Sequence, residues 1–395
     1  MEVTGAVFKY SLLDFLFSCV GLPMFLADIV LDILIAVSFY QDEAYVCLGV
    51  LLLLLVGSSV LVQVYSWLWY SYDNFEMKTK FGSKLSYNHL KLLHVFQLGI
   101  YFRHAGVFLT GWENFRSKRG EPEGFAVYMN HDLSMLRILE TFSESAPQLV
   151  LMLSVILRES RLDHIEVLKT VFSASTVAFC VTMYHRSLRS FLPDKEKQSV
   201  KSSIVYFFWN LLLILSRLTA LALFASVLPC FIFAHFLCSW LVFFFCAWRA
   251  KTEFMECKCG EWLYRATVGL IWYVDWFNVV DGKTRNKTLL YHAWILVDVS
   301  VLCSLWCWKM TSGPPVVPHL NVIMKAVCVV ALYIVGLLLK LLYYKCYHPS
   351  LGKEELKGDS PDEDVVDCGV AFRSLPAPPT RLNRRMRKQA ESFYS

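Results

Sequence analysis

An all-α, polytopic membrane protein is the fold class this sequence predicts. Hydrophobic residues fill 56% of the 395 positions, aromatic residues 15%, and mean hydropathy is +0.45, more apolar than a soluble domain of this length. Ten apolar segments follow one another with short polar joins, and the few charges inside them recur at helical rather than strand spacing.

The segments run at about 10–40, 45–72, 86–110, 126–157, 164–190, 203–228, 229–249, 262–280, 288–308 and 319–345. The first is too long for a signal-peptide core and has no small-residue cleavage site, so it reads as a retained spanning helix. Pro and Gly punctuate the joins, as at Pro229 and at Gly313-Pro314-Pro315. Basic residues flank segment three (Lys78, Lys80, Lys84, then Arg103, Arg116, Lys118, Arg119). They also separate segments five and six (Arg186, Arg189, Lys195, Lys197, Lys201) and segments eight and nine (Lys283, Arg285, Lys287). The joins 41–44 and 310–318 carry none past Lys309. By the positive-inside rule the basic joins and both termini are cytoplasmic. Segments three and eight then enter and leave on the same side. The expected architecture is about eight transmembrane helices plus two re-entrant or half-inserted ones, which survive in a bilayer only when buried in protein or facing water. The third of five positions in each half suggests a five-plus-five pseudo-repeat, though no sequence repeat accompanies it. Residues 1–350 form the membrane domain. Residues 351–395, polar and aperiodic, read as a disordered cytoplasmic tail.

Composition excludes several function classes. The net charge of +5 is modest and its cations sit in membrane-flanking joins, so no nucleic-acid partner is expected. Most of the 13 cysteines fall in apolar runs and show no zinc spacing, leaving packing, with palmitoylation near helix ends, as their ordinary role. No P-loop, zinc-protease helix or nucleophile elbow occurs, so neither enzyme chemistry nor a cofactor is expected.

The charges within the segments carry the functional signal. In segment one, Asp14 and Asp32 lie 18 residues apart, five full turns, and Asp28 is offset by about 40°. The three rise roughly 27 Å along one face, about the thickness of a bilayer core. Segment four carries a second ladder of Arg137, Glu140, Glu144 and Gln148 on one face over roughly 16 Å, beside Pro147, which loosens the helix. Arg186, Arg217, Asp298 and Lys325 are further intramembrane charges. Each ladder residue taken singly is as well explained by ion pairing that holds a bundle together. Together they suggest a wetted polar path for an ion, a small solute or a lipid headgroup.

Five stretches of the chain resemble the Xk-related family of membrane proteins: Leu92–Gly99, Ser134-Met-Leu-Arg-Ile-Leu-Glu-Thr-Phe-Ser-Glu-Ser-Ala-Pro-Gln-Leu149, Tyr184–Arg189, Phe277–Gly282 and Tyr343–Pro349. The resemblance covers essentially residues 10–350 and is closest to the apoptotic, caspase-activated phospholipid scramblases. It implies ATP-independent movement of phosphatidylserine and other phospholipids between leaflets of the plasma membrane. It also implies a polar pathway through Asp14, Asp28, Asp32, Glu140, Glu144, Arg217 and Asp298, and a single-pass immunoglobulin-type chaperone such as basigin or neuroplastin. Two positions depart from close relatives. Phe179 stands where they carry Trp, which keeps an aromatic gate within reach, and Met183 replaces an acid, removing one expected partner of Arg186.

The tail contains Asp364-Val365-Val366-Asp367 followed by Cys368, the Asp-x-x-Asp form that an executioner caspase reads, with Asp367 before the cut. Cleavage would release a fragment bearing Arg381, Arg384, Arg385, Arg387 and Lys388. Such a cluster binds anionic lipid at about 1 kcal/mol per residue, or docks on an acidic face, and is expected to hold the pathway closed until it is removed. Two other readings share this architecture: a solute or ion transporter using the same acids as coupling sites, and a non-transporting membrane partner subunit in which the ladders only hold the bundle together.

Overall fold

The computed structural model describes residues 12–72, 86–116, 123–159, 164–191, 198–279, 285–312 and 319–348. Among them there is helix and no strand. In a bilayer a helix satisfies its backbone groups internally, and these long apolar runs have no other way to do so. In chain order the helices are α1 (Leu12–Gln41), α2 (Tyr45–Tyr72), α3 (Tyr87–Val95), α4 (Gly99–Arg116), α5 (Glu123–Ser143), α6 (Ser145–Glu159), α7 (His164–Phe191), α8 (Val200–Val227), α9 (Phe231–Arg249), α10 (Lys258–Val274), α11 (Arg285–Thr311) and α12 (His319–Leu342). A π-helical turn, Tyr343–Tyr347, closes α12. The residues from Asp359 to Lys388 on which the tail reading rests lie outside the described residues.

Seven helices are long and apolar enough to cross a membrane: α1, α2, α7, α8, α9, α11 and α12 with its terminal turn. Segment three, read as re-entrant, is a helix pair, α3 and α4, bent by 120° at a short break, the form of either a broken span or a re-entrant loop. Gln97 at the break has φ 63°, and a Cβ on Gly99 would fall 2.4 Å from the Gln63 amide oxygen and 2.6 Å from His94 Nε2. A larger residue there would push the Gln63 and His94 side chains aside. Segment eight becomes α10, shorter than its neighbours and followed by extended residues from Asp275 to Val279. Segment four is α5 and α6, interrupted at Glu144 because Pro147 has no N–H to return to Ser143. Its charges keep it from qualifying as an apolar span, and it is instead enclosed by protein, packing on α2, α4, α7 and α8.

The helix α8 is the post around which the rest is arranged, contacting α6, α7, α11 and α12. Its packing on α12 is close because Gly336 offers only a hydrogen to Leu213, and Ser216 Oγ donates to the Val329 carbonyl at 2.7 Å. Small residues and interhelical hydrogen bonds of this kind supply association energy where the hydrophobic effect no longer does. Outward faces are correspondingly apolar, as with Leu53, Leu289, Leu290 and Leu320. Lys325, read as an intramembrane charge, is exposed on α12 rather than inside the bundle.

The tightest backbone approach joins α9 to α10. A Cβ on Gly269 would sit 3.0 Å from the Phe244 nitrogen and 3.4 Å from the Trp240 carbonyl oxygen, atoms that cannot swing away. Gly106 meets only the flexible end of Met129, at 2.7 Å. Gly269→Ala is therefore expected to lower stability by about 1–3 kcal/mol, read as an earlier thermal unfolding midpoint in detergent, with Gly106→Ala nearer wild type. Equal midpoints for the two variants would contradict this packing.

Candidate functional site

The predicted acids of α1 do share one buried face: Asp14, Asp28 and Asp32 are each 5% exposed or less, while Leu16, Val20, Val30 and Ile33 face outward. They meet α7, which runs antiparallel to α1, so Asp14 lies near the end of α7 and Asp28 near its beginning. The two levels are roughly 21 Å apart along the helix.

At the first level Arg186 donates from Nη2 to Asp14 Oδ1 at 2.9 Å. Its Nη1 donates to Ser203 Oγ at 2.5 Å and to the Gln198 carbonyl at 2.9 Å. The partner that Met183 cannot supply is thus provided across the bundle by Asp14. The Arg186 guanidinium also lies 4.7 Å from the Phe17 ring centre, and Phe17 meets Phe179 at 6.3 Å.

Below these rings is a cavity of about 40 Å³. Phe17, Met24, Phe179 and Met183 form its apolar walls, and Ser18, His104, Asn130, Arg137 and Thr176 its polar ones. Ser18 Oγ donates to Asn130 Oδ1 at 2.7 Å. Arg137 pairs with Glu140, one turn along α5, and stacks 4.6 Å over Phe25.

At the far level the ammonium of Lys169, with no exposure, pairs with Asp28 and with Asp32 Oδ1, the latter at 2.9 Å. Ser145 Oγ donates to Asp28 Oδ2 at 3.2 Å, and fully buried Gln148 lies beside Asp32. Glu144 joins this group at the break between α5 and α6. Carboxylate oxygens of Asp28, Asp32 and Glu144 come within 4.8 Å of one another, the group among the described residues close enough to share a metal ion. Lys169 places a positive charge there already.

Arg217 and Asp298 form a separate cluster. They pair at 2.5 Å, with His235 Nε2 3.2 Å from the other Asp298 oxygen and its Nδ1 3.0 Å from Tyr273 Oη. These partners belong to α8, α9, α10 and α11 rather than to α1, α5, α6 or α7.

Several polar residues of the interior escaped the sequence reading. Lys169 is the most consequential. Lys340 Nζ lies 2.6 Å from His292 Nε2 and 4.7 Å from the Trp209 ring centre, and His292 Nδ1 is 2.9 Å from Tyr333 Oη. Arg103, read as a loop charge, is a buried residue of α4 that pairs with Asp132 at 3.2 Å and covers Tyr70 at 4.0 Å. Arg189, likewise counted as a loop charge, is buried within α7, as is Arg186, counted both as a join cation and as an intramembrane charge.

Removing one partner from a buried ion cluster leaves the others uncompensated, at a cost of about 3–5 kcal/mol. Lys169→Met is therefore expected to reduce thermal stability and folded yield sharply, and Lys169→Met with Asp28→Asn to recover part of the loss. A Lys169→Met protein that unfolds at the wild-type temperature would contradict the charge balance described here.

Comparison with known proteins identifies the family. A family model described as XK-related protein matches residues 16–349. A protein named XK-related protein 8 from Tetraodon nigroviridis is 44% identical over 400 residues, covering 99% of this chain and 98% of its own length. Its namesake from Gasterosteus aculeatus is 42% identical over 404 residues, covering 99% of each chain. That from Pan troglodytes is 34% identical over 385 residues, covering 96% of this chain and 94% of its own. With nearly the whole chain matched by the family and by relatives of the same length, this multi-pass membrane protein belongs to the XK-related family.

Proposed function

We propose that this chain is a phospholipid scramblase of the plasma membrane, and that caspase cleavage of its tail opens it so that phosphatidylserine reaches the cell surface during apoptosis. The observation that carries the reading is the column of complementary charges between α1 and α5–α7. It runs from Asp14–Arg186 through Arg137–Glu140 to Lys169 with Asp28 and Asp32.

Moving a headgroup through hydrocarbon is costly because its phosphate and amine lose their water. The column offers an exchange. The phosphate replaces Asp14 on Arg186 or Glu140 on Arg137, and the headgroup amine replaces the arginine on the carboxylate so released. For the phosphate and the amine, charge-assisted hydrogen bonds are exchanged rather than lost, and the serine carboxylate, the third charge of the headgroup, needs a second guanidinium of the column. The acyl chains remain in lipid, no covalent bond changes, and no energy source is required, so this is not an enzyme reaction. A cavity of about 40 Å³ admits a few waters but no headgroup, which fits a closed state. Phe17 and Phe179 then act as the gate that must part.

The trigger is the tail. Cutting after Asp367 removes the basic cluster from Arg381 to Lys388, and with it a cytoplasmic restraint on the bundle. Cytoplasmic termini, the side that the positive-inside rule favours for the basic joins, would expose the tail to an executioner caspase. A single-pass immunoglobulin-type chaperone such as basigin or neuroplastin would accompany the chain to the surface, against an apolar outer face.

One observation favours a second reading, a non-transporting partner subunit: the charges are already paired in this structure, as purely structural glue would be. The two readings separate in cells that lack their own scramblase, express this chain and receive an apoptotic stimulus. Annexin-type staining is expected with wild type and to be lost with Asp367→Ala. Staining in neither, with the protein shown to be at the surface, would favour the partner subunit.

A further inference from the structure

Arg186 does more than neutralise Asp14, because its contacts lead back to the end of α12. Its Nη1 donates to the Gln198 carbonyl at 2.9 Å. The Gln198 side chain in turn donates from Nε2 to Tyr343 Oη at 3.3 Å. Tyr343 opens the π-helical turn Tyr343–Tyr347, has no exposure, and packs edge-on against Tyr206 of α8 at 5.4 Å. The chain thus runs from the turn that bears the tail, through Gln198, to Arg186, then to Asp14 and Phe17 of α1, and on to Phe179.

We propose that the Gln198–Tyr343 hydrogen bond is a latch that couples the tail-bearing turn of α12 to the Phe17–Phe179 contact and keeps the lipid path shut. The proposal rests on the scramblase reading and assigns its regulation to two residues outside the charge column. The physical reasoning is local. Gln198 precedes α8 by two residues and holds Arg186 only through its backbone oxygen, so its position depends on what its side chain grips. With Tyr343 in place, Arg186 is drawn at once toward Gln198, Ser203 and Asp14, and its guanidinium lies against Phe17. If the turn shifts when the tail is cut, Gln198 is released, Arg186 loses one of its anchors, and Phe17 is freed from Phe179. A π-helical turn is a rare departure from the α-helix and is frequent at functional sites, which suits this role.

The latch is one hydrogen bond, so losing it is expected to shift the closed–open balance by roughly two- to tenfold. The test uses full-length protein reconstituted in phosphatidylcholine–phosphatidylserine vesicles that carry a fluorescent phospholipid, with outer-leaflet fluorescence bleached by dithionite. Tyr343→Phe keeps the ring and removes the hydroxyl. Gln198→Met keeps the length and removes the donor. Uncleaved, each variant is expected to move lipid roughly two- to tenfold faster than uncleaved wild type. The double variant should be no faster than either single one, because all three delete the same bond. A purely structural contact would lower thermal stability without this non-additive gain in rate.

Caspase-treated wild type is the internal reference. If it moves lipid while both uncleaved variants match uncleaved wild type, the latch is refuted and the scramblase reading stands. If treated wild type, its cleavage verified, moves no lipid, the scramblase reading fails and the latch with it. Should one variant fail to fold, the other decides alone.

Discussion

The ammonium of Lys169, fully enclosed by protein, is the charge on which the N-terminal half of the bundle depends. Three carboxylates, Asp28, Asp32 and Glu144, converge from α1 and the α5–α6 break to within 4.8 Å of one another. Without a cation they would repel in a region where water is scarce. Lys169 supplies it from the start of α7 to Asp28 and Asp32, and so ties α7 to α1 beside the α5–α6 break. The rest follows from that anchor. With α1 pinned to α7 at one end, the antiparallel run of the two helices brings Asp14 to Arg186 at the other, and leaves Phe17 and Phe179 facing one another over a small cavity.

Burying several ion pairs adds little net stability over well-packed apolar residues, because desolvation offsets most of the Coulomb gain. What such pairs offer instead is exchangeability. On the proposed scramblase reading, an aliphatic column would shut the path for good, whereas an arginine released from one anion can take another. The C-terminal half is arranged differently. There Arg217, Asp298 and His235 form a compact knot among α8–α11, and Lys340 is held by His292 and the Trp209 face. Around the α8 post these contacts resemble a frame against which α1 and α7 could move.

Much of this was legible in the sequence, for reasons tied to particular residues. The face shared by Asp14, Asp28 and Asp32 could be read because helical geometry is rigid over a long run. The cations on both flanks of segment three marked it as no ordinary span, although the 120° bend at Gln97 was not legible. Glu144 and Pro147 announced a weak point in segment four, where the helix does break. The partners of the acids were not legible. Lys169 lies a turn and a half inside α7, where a lone lysine reads as an interfacial flank, and its pairing with Asp28 spans 141 positions. Arg103 and Arg189 looked like loop cations because they lie near helix ends, and only the folded bundle shows them turned inward. Tertiary pairing of this kind leaves no periodicity to detect.

The most direct test of the account asks where a headgroup travels. A phosphatidylserine analogue with a photoreactive group on its headgroup would be incorporated into vesicles with the caspase-cleaved protein, illuminated, and the adducts mapped by mass spectrometry. Hydrocarbon keeps headgroups at the interfaces, so a label at mid-membrane depth requires a polar path. Adducts on Met24, Arg137, Phe179 or Cys180 are predicted after cleavage and not before it. Adducts confined to helix ends, with lipid transit under way in the same vesicles, would contradict a path between α1 and α5–α7.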